Sequence, residues 1–171
     1  MTFDEAFERL IGHEGKFSND EKDPGNWTGG RINAGELKGT KYGIAANTYG
    51  DLDIKNLTIE KAKSIYYRDW WLKLGADQMD SAIAFQVWDF AVNAGMSTAR
   101  RALQRAVKVV DDGSIGPHTL AAIQSYSVTD VILRFNAQRL KYYTSLSGWA
   151  TYGKGWTNRV ANNLNYAAGD A

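Results

Sequence analysis

At 171 residues, 44% hydrophobic and 23% charged, the chain has the composition of one globular domain with a sizeable core. It has no cysteine, which excludes disulfides and thiol chemistry, and its two histidines, His13 and His118, match no metal-ligand spacing. The formal net charge is +1, but residues 1–96 hold 11 Lys+Arg against 15 Asp+Glu (net −4), and residues 97–171 hold 9 against 4 (net +5). The basic half suits either an anionic polymer or a solvated helical face, and no Lys/Arg cluster or motif supports a nucleic-acid role. No apolar run is long enough for a signal peptide or a membrane span, so the expectation is a protein made in the cytoplasm and not inserted in a membrane.

The first predicted element is a short helix. Thr2 and Glu5 have capping-box spacing, and Phe3, Phe7, Leu10 and Ile11 fall on one face. One further step along that face reaches Glu14, with Gly15 behind it in the position that ends a helix. Desolvation and the negative end of the helix dipole would both raise the pKa of such a carboxyl, which suits a general acid. The plainer alternative is a partly exposed glutamate at a helix end.

Residues 15–50 are rich in glycine, with several Asn and Asp, and read as turns and short strands. Asp23-Pro24-Gly25 is a tight turn, and residues 26–32 are expected to pair with 39–44 as one small hairpin. No dinucleotide fingerprint or P-loop follows a strand here.

From Thr58 the pattern is helical, with apolar positions at Ala62, Ile65, Tyr66 and Trp70 and an end near Gly75. Residues 81–94 are apolar nearly all round, so this helix is expected at the centre of a bundle. Asp89 and Asn93 interrupt it four residues apart; they form either a structural hydrogen-bonded pair or a wall that contacts substrate. Gly95 ends it, and the next helix starts at Ser97 or Thr98 and runs to about Val109. Asp112-Gly113 is a turn, and Gly116-Pro117 opens a helix ending near Ser125. Another runs from Ser127 to about Ser145, carrying Val131, Leu133, Phe135, Leu140 and Tyr143. Gly153-Lys154-Gly155-Trp156 reads as a loop before a final helix. Short connections throughout predict a single domain over 1–171, with one lobe over 1–95 and a helical lobe over 96–171.

Taken in order, these motifs resemble glycoside hydrolase family 108, the lysozyme-like muramidases of phage endolysins and their bacterial relatives. Glu14-Gly15-Lys16-Phe17 resembles the family's Glu-Gly-Gly-Tyr start. Asp23-Pro24-Gly25 and Thr40-Lys41-Tyr42-Gly43-Ile44 resemble its Asp-Pro-Gly and Thr-x-x-Gly-Ile elements. Ala62 to Trp71 looks like its Ala-x-x-x-Tyr helix, and Asp89 to Gly95 its Asp-x-x-x-Asn-x-Gly helix end. Leu103-Gln104, with Asp112 to Pro117 and Thr119, resembles a peptidoglycan-domain signature. Gly155-Trp156-Thr157-Asn158-Arg159 is similar to the closing Gly-Trp-x-x-Arg. Lys16 departs from the pattern, and residues 26–39 are longer than the usual stretch.

The resemblance implies a mainly α, lysozyme-like fold with one small hairpin after the first helix. It implies hydrolysis of the peptidoglycan β-1,4 bond between N-acetylmuramic acid and N-acetylglucosamine, with Glu14 as the acid and no cofactor or metal. Asp23, nine residues past Glu14, is either a second catalytic carboxylate or a turn residue capping its own backbone. Thr40 or Thr28 is placed to hold a water, and Tyr42, Asp89, Asn93 and Gln104 are the candidate substrate contacts. Two other readings stay open. One is a lytic transglycosylase using Glu14 alone; the other is a non-catalytic peptidoglycan-binding or secretion-accessory protein. An endolysin of this kind is expected to be a monomer that reaches bacterial peptidoglycan only through a separate holin-like, membrane-permeabilising protein.

Overall fold

The computed structural model describes residues 1–11 and 16–171, which group into two compact units. One comprises Phe3–Tyr67; the other comprises Arg68–Ala171 with Met1–Thr2.

In the first unit, helix α1 (Phe3–Ile11) buries Phe7 of the expected stripe together with Ala6, while Phe3, Leu10 and Ile11 are half-buried. The Phe7 ring lies 5.8 Å from Tyr66, and Phe3 meets Tyr67 edge-on at 5.0 Å. Both tyrosines belong to the helical run that starts with α2 (Ile59–Tyr66). Thr58 caps α2, its hydroxyl accepting from the Lys61 amide at 3.2 Å, and Lys63 pairs with Asp4 of α1 at 2.8 Å.

Between these helices the backbone closes two local hairpins. Strand β1 (Thr40–Lys41) pairs antiparallel with β2 (Ile44–Ala45). Tyr42 (φ 51°) and Gly43 (φ 73°) both take positive φ, as a two-residue hairpin turn requires. The expected partner of 39–44, residues 26–32, instead folds back on 34–37. Trp27 bridges Leu37, the Thr28 amide donates to Glu36 O at 2.9 Å, and the Gly29 amide donates to Ala34 O at 2.9 Å. Gly30, Asn33 and Gly35, all at positive φ, make that reversal possible, so each segment finds its partner locally.

In the second unit the helical run continues through a π-helical turn at Tyr67–Trp71 into α3 (Leu72–Leu74). The extra residue in that turn rotates the apolar face by one position. Trp71, not Trp70, is therefore buried, meeting Trp88 edge-on at 5.4 Å. Gly75, at φ 78°, ends the helix as its position predicts.

Helix α4 (Ser81–Ala94) is the central one: every residue from Ala82 to Ala91 is buried. Asp80 caps it, and Gly95 at φ 96° turns the chain straight into α5 (Met96–Ala106). That helix starts one residue before Ser97 and stops three short of Val109, where Lys108 takes the left-handed conformation (φ 59°). Then follow α6 (Pro117–Gln124), α7 (Val128–Ser145) and α8 (Trp149–Asp170). Ser127 caps α7 by accepting from the Asp130 amide at 3.1 Å. Helix α7 packs against α4, α5 and α8. It buries Ile132 with Val131, Phe135 and Tyr143, while Leu133 is 56% exposed. The loop expected at Gly153–Trp156 is helix. A Cβ on Gly153 would stand 2.7 Å from the Trp149 ring, so this glycine seats a ring inside a helix.

The hairpin turn gives a direct test. A Cβ on Gly43 would overlap the Tyr66 hydroxyl, which donates to the Tyr42 carbonyl at 3.2 Å. Gly43→Ala is expected to lower stability by about 2 kcal/mol from left-handed strain and loss of this contact, read as a shifted urea midpoint.

Candidate active site

Glu14 lies outside the described residues, as does His13. The loops that follow are held by one amide. Asn26 is fully buried; its Nδ2 donates to Asp20 O at 3.0 Å, and its Oδ1 accepts from the Thr40 hydroxyl at 2.7 Å. Its carbonyl accepts from the Lys38 and Gly39 amides, each at 3.0 Å. A single side chain thus fixes the turn at Asp20–Asp23 to strand β1. Thr40 is also locked by its backbone, which pairs with Ser18 in both directions at 2.9 and 2.8 Å.

Asp23 is exposed and caps the 3-10 turn Pro24–Asn26, accepting from the Gly25 amide at 2.8 Å through Oδ1. Asn26 follows directly in that turn, so Asp23 and the Thr40 hydroxyl are joined through one short backbone segment. Thr28 is placed differently: its hydroxyl accepts from the Glu36 amide at 2.9 Å inside the second hairpin. Tyr42 sits in the β1–β2 turn, half-buried, with the Lys41 ammonium 5.4 Å from its ring centre. Beside these loops lies a groove of about 580 Å³ lined by Phe17, Asn19, Leu37, Lys38 and residues 51–55.

The remaining candidates belong to the second unit. Asp89 is 3% exposed, and both its oxygens are taken up. Arg159 forks onto them at 2.7–3.1 Å, Arg139 donates at 2.7 Å and Asn163 at 2.7 Å. Three side chains from α7 and α8 therefore meet on one carboxylate of α4. Burial is the strongest single influence on its charge and opposes it. The Arg159 hydrogen bonds and the Arg139 charge together outweigh burial and hold the Asp89 carboxyl below the usual carboxylate range. Asn93 is exposed one turn later, its Oδ1 accepting from the Tyr143 hydroxyl at 2.6 Å. Gln104 is buried beneath the Asp112 turn. Its Nε2 donates to Asp112 Oδ1 at 2.7 Å and Ser114 O at 3.0 Å, and its Oε1 accepts from the Gly113 amide at 2.8 Å.

Sequence reasoning passed over Asn26, Arg139 and Asn163, and gave Tyr143 only as a position of the α7 helix. Arg139 had a signal: it lies on the Phe135–Tyr143 stripe of α7, where a charge needs a buried partner. Asn26 had little, because its partners are six and fourteen residues away.

The sequence model of the family described as Glycosyl hydrolase 108 matches residues 7–95. The chain belongs to this family. It is a glycoside hydrolase of the peptidoglycan-degrading class, and its fold is mainly α and lysozyme-like with one small two-stranded sheet among the described residues. The matched stretch holds all the candidate residues except Gln104. Among solved structures, the chain is similar to that of Brucella abortus SagA, at 30% identity and a TM-score of 0.81, over 98% of this chain and 94% of that one. No curated protein matches.

Because the folded pKa of Asp89 lies below its unfolded value of about 3.9, its charge contributes stability above that pH and stops contributing as pH falls through the folded value. Asp89→Asn in this glycoside hydrolase is expected to cost about 3–5 kcal/mol near neutral pH and to flatten the fall in stability below about pH 4. Urea unfolding from pH 2.5 to 7 measures both.

Proposed function

We propose that the protein is an N-acetylmuramidase cutting the β-1,4 bond between N-acetylmuramic acid and N-acetylglucosamine, with Glu14 protonating the glycosidic oxygen. As that bond breaks, positive charge builds at the anomeric carbon, and a carboxylate nearby stabilises it or orients the attacking water. We assign that role to Asp23, whose Oδ1 is fixed by the turn while Oδ2 makes no hydrogen bond among the described residues. Thr40 holds the water, because its hydroxyl is fixed by Asn26 while that of Thr28 is committed to its own hairpin. The observation that carries this reading is the Asp23–Asn26–Thr40 arrangement in a member of this hydrolase family: Asn26, whose buried amide holds the Thr40 hydroxyl, sits in the turn that Asp23 caps. Tyr42 and Asn93 are assigned to sugar contacts. Asp89 and Gln104 act through the elements they fix.

One observation favours a second reading. Asp23 is already occupied as a turn cap, and a lytic transglycosylase needs only the acid. Release by a separate holin-like protein, action as a monomer in phage lysis and antimicrobial use belong to the same proposal. No described helix is long and apolar enough to cross a membrane, which fits a need for a separate route. Lysis of cells from inside without any permeabilising partner would contradict that part.

On isolated peptidoglycan, Glu14→Gln is expected to lower the rate of fragment release by roughly 10²–10⁴-fold with its thermal midpoint unchanged. Asp23→Asn should lose about tenfold or more. Wild-type rates in Glu14→Gln would remove the acid assignment, and wild-type rates in Asp23→Asn alone would favour the transglycosylase.

A further inference from the structure

The first two turns of α8 carry three aromatic rings that the catalytic reading does not use. Trp149, Tyr152 and Trp156 are spaced i, i+3, i+7 and share one helix face. Tyr152 is 61% exposed and Trp149 is 37% exposed, an uncommon use of large rings on a surface. Trp156 is the anchored member. It stacks on the buried Tyr143 ring at 5.0 Å and 16°, with Tyr152 at 5.8 Å and Trp149 at 6.4 Å.

The positions of the outer rings are built into the backbone. A Cβ on Gly153 would lie 2.7–3.0 Å from three atoms of the Trp149 ring. A Cβ on Gly148 would lie 3.1 Å from Tyr152 Cδ2 and 3.4 Å from the Trp156 ring. Each glycine lets a ring settle against the helix, so the rings are ordered without being buried. Tyr143, beneath Trp156, donates to the exposed Asn93, whose Nδ2 makes no hydrogen bond among the described residues.

We propose that Trp149, Tyr152 and Trp156 form a binding platform for the glycan strand of peptidoglycan, outside the catalytic loops; this rests on the wall-polymer reading of the substrate. Aromatic π faces are electron-rich, and the axial C–H groups of a pyranose are electron-poor, so a sugar stacks on such rings without needing charge. Asn93 supplies an amide donor to a sugar oxygen or acetamido carbonyl. Residues 97–171, net +5, keep a positive balance beyond the Asp89 charge that Arg139 and Arg159 neutralise, which complements the stem carboxylates of intact strands and the lactyl carboxylates of stripped ones. The platform would hold an insoluble polymer between cleavage events.

The test is co-sedimentation of Glu14→Gln protein, which should bind without cutting, with insoluble peptidoglycan and with strands stripped of stem peptides. Adding Trp149→Ala with Tyr152→Ala should weaken binding to both by about tenfold or more. Gly153→Ala removes no ring but displaces Trp149, and should weaken binding by a few fold although alanine favours helix. Trp149→Phe with Tyr152→Phe should bind as well as the parent. In the otherwise wild-type enzyme, the ring-less variant should lower the ratio of turnover on insoluble sacculi to turnover on short soluble oligomers. Unchanged binding in the ring-less variant overturns the proposal, as does binding lost on stripped strands by the parent protein. A wild-type protein that binds but releases no fragments would overturn the muramidase reading and leave the platform standing.

Discussion

The loop region between Phe17 and Thr58 depends on one buried amide. Its sheet is two residues wide on each strand, and its buried apolar side chains are few, chiefly Ile44, Ala46, Ile54 and Leu57. Such a segment cannot hold its shape by area alone. Asn26 supplies the constraint: side chain and backbone together hold the Asp20–Asp23 turn, Thr40 and the start of β1. Removing it would break the link between the Asp20 carbonyl and the half-buried Thr40 hydroxyl. The same device that keeps the loops in place keeps the Thr40 hydroxyl pointed at one partner.

Asp89 does the corresponding work in the helical unit, on a larger scale. It lies in an otherwise apolar helix, where an unpaired carboxylate would be strongly destabilising. Two arginines and an asparagine, from α7 and α8, compensate it and so fix how these helices meet α4. Tyr143 then links this centre to the surface. It bonds to Arg139 and Asn93 and stacks on Trp156. The positive charge of α7 and α8 thus serves two ends, partly spent on Asp89 and partly presented to solvent.

Much of this was legible in the chain because it is local. Thr58, Ser127, Gly75 and Gly95 start or stop helices through bonds spanning a few residues, so their types and positions suffice. The features that escaped are those decided by distant neighbours. The π turn that buries Trp71 instead of Trp70 leaves no mark on the spacing of side chains. Gly153 reads as a helix breaker until the Trp149 ring above it is seen. The stretch 26–39 offers two ways to close a hairpin, and positive-φ residues inside it decide which. For the candidate site, residue types were legible at Asp23 and Thr40, whereas the Asn26 amide that ties Thr40 to the carbonyl of Asp20 was not. Asp89 was visible as a buried carboxylate, but its partners lie 50 and 70 residues away.

The central claim, hydrolysis of the muramic-acid glycosidic bond, is tested most directly by digesting isolated peptidoglycan in water enriched in oxygen-18 and weighing the soluble fragments. The account predicts free reducing N-acetylmuramic ends, each carrying one heavy oxygen. Fragments lacking one water and carrying no heavy oxygen would instead mean an anhydro product formed by transglycosylation. Heavy oxygen on N-acetylglucosamine ends would place the cut at the other bond of the strand and contradict the account.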